Sequence, residues 1–207
     1  MKKYILFLIF LLSFTSNCLG QQLPKFSYNV KIETFYPEIR NFSGTVIRCD
    51  DDEIHVLTCW HGFMGFTNPK SAFVTFVSED CAYVTELRVE KSDIARDIVL
   101  LRGLNVYDIK AEVAKVSDKN PEIGSACTAY GFGLSRATVV RPVHVKNYDK
   151  MVFGTNYKIL ATDKPMPQGM SGGGLIQNGK LCGVLSSAGN AESSYCPADQ
   201  LLDFVKK

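Results

Sequence analysis

The chain alternates short apolar segments, rich in Val, Ile, Thr, Tyr and Phe, with clusters of turn residues. The segments include FSYNVKIET, SGTVIRC, IHVLTC, AFVTFV, AYVTELRVE and DIVLLRG, and turns such as DDDE, TNPKS and QNGK separate them. Short β-branched and aromatic segments at this spacing are typical of an all-β barrel or sandwich. The one good helical pattern is the tail, PADQLLDFVKK. We therefore predict an all-β fold with a short C-terminal helix.

A polar, proline-containing segment, EVAKVSDKNPEIG, lies near the middle of the β-rich region. Its composition is that of a connector. It separates two β units of similar size, about 24–112 and 125–207, with 113–124 between them.

The first 20 residues are predicted to be a signal peptide. Lys2 and Lys3 precede the run YILFLIFLLSF, which is short for a bilayer span, and Gly20 is a small residue at the expected cleavage point. The alternatives are an uncleaved anchor and, less favoured, a lipid attached to Cys18. We expect a secreted or periplasmic protein without a stable membrane span once the signal is removed.

Charge and cysteine usage narrow the function further. The net charge is +2 with no basic run, so nucleic acid is not an expected partner. Three scattered histidines and no C-x-x-C give no metal site, and no cofactor is expected. Six cysteines follow the signal, and export would permit disulfides. We predict disulfide bonding, with Cys182–Cys196 a possible bridge and the remaining connectivity open.

A glycine-rich loop, MPQGMSGGG, contains a candidate nucleophile, Ser171. A serine hydroxyl needs a neighbouring base, usually a histidine. His55 and His144 lie inside strand-like segments, where surface or packing roles are the simpler interpretation. His61 follows the strand HVLTCW and precedes GFMGF, at the end of a rigid element. That position favours His61 as the base.

The third residue should be a carboxylate that orients the imidazole. The segment KSDIARDIVLL offers Asp93 and Asp97. Asp97 leads into an apolar strand, where a buried carboxylate needs a partner such as a histidine N–H. We therefore prefer Asp97 to Asp93, and a simple turn aspartate is the alternative.

The order of these residues separates the possible classes of hydrolase. Gly169 to Gly173 fits G-x-S-x-G of the α/β-hydrolases, but that class needs a histidine after the serine, and none follows Ser171. The subtilisin class has the order Asp, His, Ser, which would require one of the aspartates at 50–52. Those residues form a turn, and the high strand content does not suit that class. His61, Asp97 and Ser171 occur in the order of the chymotrypsin class.

Together these motifs resemble the trypsin/chymotrypsin-like serine peptidases, particularly compact members related to the HtrA proteases. The strands that end at the catalytic histidine are resembled by SGTVIRC…HVLTCWHGF. The acid motif is resembled by DIARDIVLL. The nucleophile loop and the strand after it are resembled by ATDKPMPQGMSGGGLIQNGKLCGVLSS. The resemblance covers about residues 40–205, and with 36 residues after Ser171 we expect no PDZ domain. It implies two six-stranded antiparallel barrels, a catalytic set of His61, Asp97 and Ser171, and an oxyanion hole formed by the backbone N–H groups of Gly169 and Ser171.

The resemblance also implies where substrate binds. Protein or peptide substrate would contact Pro165 and Met166 before the serine, and Ser186 and Ala188 on the strand after it. No acidic residue occupies 164–168, which predicts cleavage after small to medium apolar residues.

Two departures from the family are relevant. Met170 stands where zymogen-activated members have an aspartate, so activation through a new N-terminus is not expected. The sequence TCWH replaces the commoner T-A-A-H. The alternative function is a catalytically silent relative that acts as a secreted binding or regulatory protein.

Overall fold

The structure, a computed structural model, describes residues 26–35, 39–65, 69–78, 81–133, 138–150 and 157–206. The predicted signal peptide lies outside these residues. No helix in the described part of the chain is long and apolar enough to cross a membrane.

The first half of the chain forms a closed antiparallel barrel. Its strands are β1 (Asn29–Thr34), β2 (Arg40–Cys49), β3 (Glu53–Thr58), β4 (Ser71–Val77), β5 (Ala82–Asp93) and β6 (Ile98–Leu104). They pair in the order β1-β2-β3-β6-β5-β4, and β4 returns to β1. Closure leaves no free edge, and apolar side chains such as Val30, Ile32 and Phe76 fill the interior.

The second half forms a matching barrel. Its strands are β7 (Ala126–Phe132), β8 (Thr138–Lys150), β9 (Lys158–Thr162), β10 (Gly174–Gln177), β11 (Lys180–Ala188) and β12 (Ser193–Pro197), and helix α1 (Ala198–Lys206) follows. Asn178 and Gly179 both have positive φ, 51° and 74°, as a tight two-residue hairpin between β10 and β11 requires. The predicted fold, two six-stranded barrels with a C-terminal helix, is confirmed.

A third apolar cluster joins the two barrels. Leu57 and Ile98 come from the first barrel, Val184 from the second, and Leu201 and Phe204 from α1. Because α1 buries its apolar face in this cluster, the helix contributes to the packing of one barrel against the other. The strands that carry the predicted site residues therefore meet across a packed interface.

The disulfide prediction is not supported by the structure. The six cysteines of the described chain, Cys49, Cys59, Cys81, Cys127, Cys182 and Cys196, are all free thiols. In the β11–β12 ladder Cys196 lies opposite Val184, and Cys182 falls where the β10–β11 register shifts at a bulge. Residues offset by two positions across strands lie about 7–8 Å apart, whereas a disulfide needs Cβ atoms about 3.8 Å apart. The turn positions were predicted from sequence, but the register that separates these two thiols was not.

Candidate active site

His61 lies directly after β3, at the start of a 3-10 helical turn (His61–Phe63). Its backbone N–H donates to Asp97 Oδ1 at 2.7 Å, and its Nδ1 lies 2.7 Å from Asp97 Oδ2. An ionised carboxylate only accepts hydrogen bonds, so Nδ1 carries the proton and Nε2 is the acceptor in the neutral ring. Asp97 thus fixes both the position and the tautomer of His61.

Asp97 occupies the last position of the turn between β5 and β6, and its backbone has a φ of 55°. Its side chain is only 12% exposed. Besides the two bonds to His61, it accepts a 2.6 Å hydrogen bond from Ser186 Oγ on β11. A buried carboxylate is costly unless such donors surround it, and three here compensate the loss of water. The preference for Asp97 over Asp93 agrees with this geometry.

The protonation of His61 reflects two opposing effects. Burial of the ring lowers its pKa, but the hydrogen bonds that the ring makes with Asp97 and Cys59, together with the negative charge of the carboxylate, raise it by more. The net result is a pKa above the ordinary value for histidine. The Asp97 carboxylate therefore stabilises the imidazolium that forms when His61 accepts a proton.

Ser171 lies in the loop before β10, and Ser43 of the first barrel holds this loop in place. The Ser43 N–H donates to Ser171 O at 2.7 Å, and Ser43 Oγ donates to Gly169 O at 2.9 Å. The same hydroxyl accepts the Phe132 N–H at 2.8 Å, and Ser43 O accepts from Thr58 Oγ1 at 2.6 Å. Sequence analysis missed Ser43. The signal that could have pointed to it is a polar residue inside the apolar strand β2.

The glycines of the loop allow this close approach. Gly169 and Gly172 have φ of 92° and 82°, in the left-handed region that favours glycine. A Cβ on Gly172 would overlap Ser43 O and Thr58 Oγ1. Among the described residues, the N–H groups of Gly169 and Ser171 donate to no protein acceptor. They remain available for a developing oxyanion.

His61, Asp97 and Ser171 all line one cleft of about 720 Å³ between the barrels. The described residues show no hydrogen bond between Ser171 Oγ and His61 Nε2. The polar contact of Nε2 is with Cys59 Sγ, at 3.7 Å. Hydrogen bonds between catalytic groups often tighten only in the substrate complex. The structure thus places His61 and Ser171 in one cleft without a hydrogen bond between them.

Three of the four predicted substrate-binding residues line the cleft: Met166, Ser186 and Ala188. Pro165 does not. Its carbonyl turns away and accepts a hydrogen bond from Arg141 of β8. Sequence analysis missed the apolar side chains that the first barrel contributes, which are Trp60, Met64 and Ile94. On the second barrel it missed Pro167, Gln168 and Gly189.

The other two histidines lie on strands, His55 on β3 and His144 on β8, and each is near a carboxylate. His55 Nε2 lies 3.1 Å from Glu53 Oε2 on the surface of the first barrel, and His144 Nδ1 lies 3.2 Å from Asp163 Oδ2. Met170 is buried in the core of the second barrel, against Gly131. No buried ion pair forms at this position.

Paired antiparallel barrels with His, Asp and Ser in the cleft between them define the chymotrypsin class of serine endopeptidase. The match of residues 42–184 to the model of the trypsin-like peptidase domain agrees with that class. The chain belongs to the trypsin-like peptidase domain family.

Solved structures of HtrA-type and trypsin-like proteins share the fold. The active form of the Rv3671c protease from M. tuberculosis is 20% identical, with a TM-score of 0.69 over 87% of this chain and 80% of that one. The HtrA-type protease AlgW with tripeptide is also 20% identical, with a TM-score of 0.69 over 86% and 59%. A scabies mite inactivated protease paralogue is 18% identical, with a TM-score of 0.66 over 86% and 92%. No curated protein matches the chain in sequence.

Proposed function

We propose that this protein is an exported serine endopeptidase that hydrolyses peptide bonds through His61, Asp97 and Ser171. The observation that carries the proposal is the double hydrogen bond of Asp97 to His61 inside the cleft that Ser171 lines. It supplies an oriented base whose Nε2 is the atom that would accept a proton from the serine.

The reaction follows from these positions. Ser171 Oγ forms a bond to the peptide carbonyl carbon while His61 Nε2 takes the hydroxyl proton, and the N–H groups of Gly169 and Ser171 bind the oxyanion. His61 then gives the proton to the departing amine, which leaves an acyl-enzyme. Water repeats the steps and releases the acid. Each oxyanion donor is typically worth about 3 kcal/mol of the barrier.

The lining of the cleft supports a preference for small to medium apolar side chains before the cut bond. Met166, Leu185 and Ala188 contribute apolar surface. Among the described lining residues the only carboxylate is Asp97, which is occupied by His61 and Ser186. An Arg or Lys side chain would therefore lack a counter-ion. A peptide library should show cleavage after Val, Ala or Leu, and a preference for Arg, Lys or Glu would refute this specificity.

Export is the remaining part of the proposal. It depends on the sequence of residues 1–20. Amino-terminal sequencing of the mature protein should find Gln21 as its first residue, and retention of the apolar run would support the uncleaved-anchor alternative.

A catalytically silent binding protein is the second candidate. The contact of His61 Nε2 with Cys59, rather than with Ser171, favours it, and one structural relative is described as an inactivated protease paralogue. The complete His, Asp and Ser set favours the enzyme.

Digestion of unfolded casein separates the two candidates. Ser171→Ala and His61→Ala should each abolish nearly all turnover, and the double variant should be little worse, because the residues act as a unit. Ser125→Ala, in the turn before β7, is the matched control and should retain activity. Equal casein cleavage by wild type and Ser171→Ala would refute the proposed nucleophile.

A further inference from the structure

The acid of the proposed triad sits on a turn that needs support from outside. Asp97 adopts a φ of 55°, a region that a non-glycine residue occupies only when its surroundings hold it there. Ile94, in the same turn, is 67% exposed, so its side chain contributes little packing that could stabilise the turn. Within the turn, Asp97 N–H donates to Ile94 O at 3.2 Å, and Arg96 N–H donates to Asp93 Oδ1 at 3.1 Å.

Arg96, the residue before Asp97, connects this turn to the rest of the molecule. Its side chain is 12% exposed, and its Nη2 lies 2.9 Å from Asp203 Oδ2 on α1. Its Nε lies 3.4 Å from Asp93 Oδ2, and its guanidinium carbon lies 4.5 Å from the ring centre of Tyr157, just before β9. A planar guanidinium can pair with carboxylates and stack on a ring at once. Arg96 therefore joins the acid turn to both α1 and the second barrel.

A second contact fastens the same region to the helix. Lys91 of β5 lies 4.9 Å from the ring centre of Phe204, and its Nζ donates to Val205 O at 3.4 Å. Arg96 also lines a small cavity together with Ser186, the residue that donates to Asp97 from β11. The support for Asp97 thus comes from the second barrel and α1 as well as from its own turn.

We propose that Arg96 is a positioning residue that fixes the Asp97 carboxylate against His61, and that α1, through Asp203, is part of this support. The proposal rests on the triad of the proposed function. It predicts that displacement of the turn weakens the orientation of His61 while the substrate-binding surface stays intact. Loss of Arg96 should therefore lower kcat and leave KM nearly unchanged.

The test compares Arg96→Met with Arg96→Lys and Asp203→Asn. Arg96→Met keeps an apolar stem but removes the charge and the paired N–H donors of the guanidinium. The matched control is Arg102→Met, which removes an arginine paired with Glu53 and Glu90 on the far part of β6. Steady-state kinetics on a peptide substrate give kcat and KM. NMR titration of the His61 imidazole reports its pKa without requiring turnover, and thermal unfolding reports stability.

Arg96→Met should lower kcat roughly 10- to 100-fold, the size expected for a displacement of about 1 Å at a catalytic group. It should also lower the pKa of His61 toward the ordinary value. Arg96→Lys and Asp203→Asn should lower kcat and the pKa of His61 by smaller amounts. Arg102→Met should leave kcat unchanged. Unchanged kcat and His61 titration in folded Arg96→Met, with only a lower melting temperature, would overturn the proposal. If the wild type lacks turnover, the proposed function fails, whereas an unchanged His61 pKa in Arg96→Met would refute the positioning role independently.

Discussion

Replacement of Gly172 by alanine tests how tightly the nucleophile loop is held against the first barrel. Gly172 has a φ of 82°, and an added Cβ would lie 2.9 Å from the Cys59 nitrogen and closer still to Ser43 O and Thr58 Oγ1. The left-handed conformation costs a non-glycine residue about 1–2 kcal/mol. Steric overlap with fixed backbone adds about 1–3 kcal/mol. The expected loss of stability is therefore about 2–5 kcal/mol, with a displaced Ser171.

Gly179 supplies a matched control, because its φ of 74° is nearly the same and no atom lies within 4 Å of an added Cβ. Gly179→Ala should cost only the backbone strain, about 1–2 kcal/mol, and leave activity unchanged. Denaturant unfolding gives the two stabilities, and the rate of casein cleavage per folded molecule gives the activities. Gly172→Ala should lose roughly 100-fold in rate, since its loop must move by about 1 Å. Equal stability and activity of the two variants would refute the packing described here.

Four further predictions concern the site and its surroundings. Asp97→Asn should lower kcat by roughly 10⁴-fold. Because the carboxylate raises the pKa of His61, the substitution should also shift the acid limb of the pH profile of kcat/KM to lower pH, and an unshifted limb would contradict that cause. In the wild type, the stability that the His61–Asp97 pair contributes should be complete below pH about 6.5. It should be lost as the pH rises through the raised pKa of His61 in the folded protein, and denaturant unfolding at a series of pH values measures this loss. Cys59→Ala should speed labelling of Ser171 by a fluorophosphonate roughly 2- to 10-fold, since it removes a competitor for His61 Nε2, and slower labelling would oppose this interpretation. Because Met170 is buried in an apolar core, moving the mature N-terminus by a few residues should leave activity intact, and a strict requirement for one start site would show otherwise.

The features that sequence predicted correctly depend on local patterns. Strand-like segments and the Asn178-Gly179 turn follow from residue preferences, and these led to the all-β fold. The catalytic roles of His61, Asp97 and Ser171 were inferred from their position at the ends of strands and from their order along the chain, and they stay predictions. The preference for Asp97 over Asp93 followed from the cost of a buried carboxylate, and the structure pairs Asp93 with Arg96 instead.

The features that sequence did not predict depend on contacts between distant segments. Ser43 holds the nucleophile loop from 126 residues away in the chain, and its only sequence signal, a polar residue within β2, does not identify its partner. Cys182 and Cys196 were judged by their spacing, whereas the register of the β11–β12 ladder, which places Cys196 opposite Val184, decides their separation. Pro165 was placed in the pocket by resemblance to related enzymes, whereas the structure gives its carbonyl a hydrogen bond from Arg141, a partner that the sequence does not reveal.

The central claim, that Ser171 is a nucleophile activated by His61, is tested most directly by mapping a fluorophosphonate adduct. Folded wild-type protein treated with the probe should gain the mass of one adduct, and peptide mapping should place it on Ser171. Ser171→Ala should gain none, and His61→Ala should react far more slowly, because the serine then lacks its base. A folded wild type that gains no adduct, or a Ser171→Ala variant that reacts as fast as the wild type, would contradict the account.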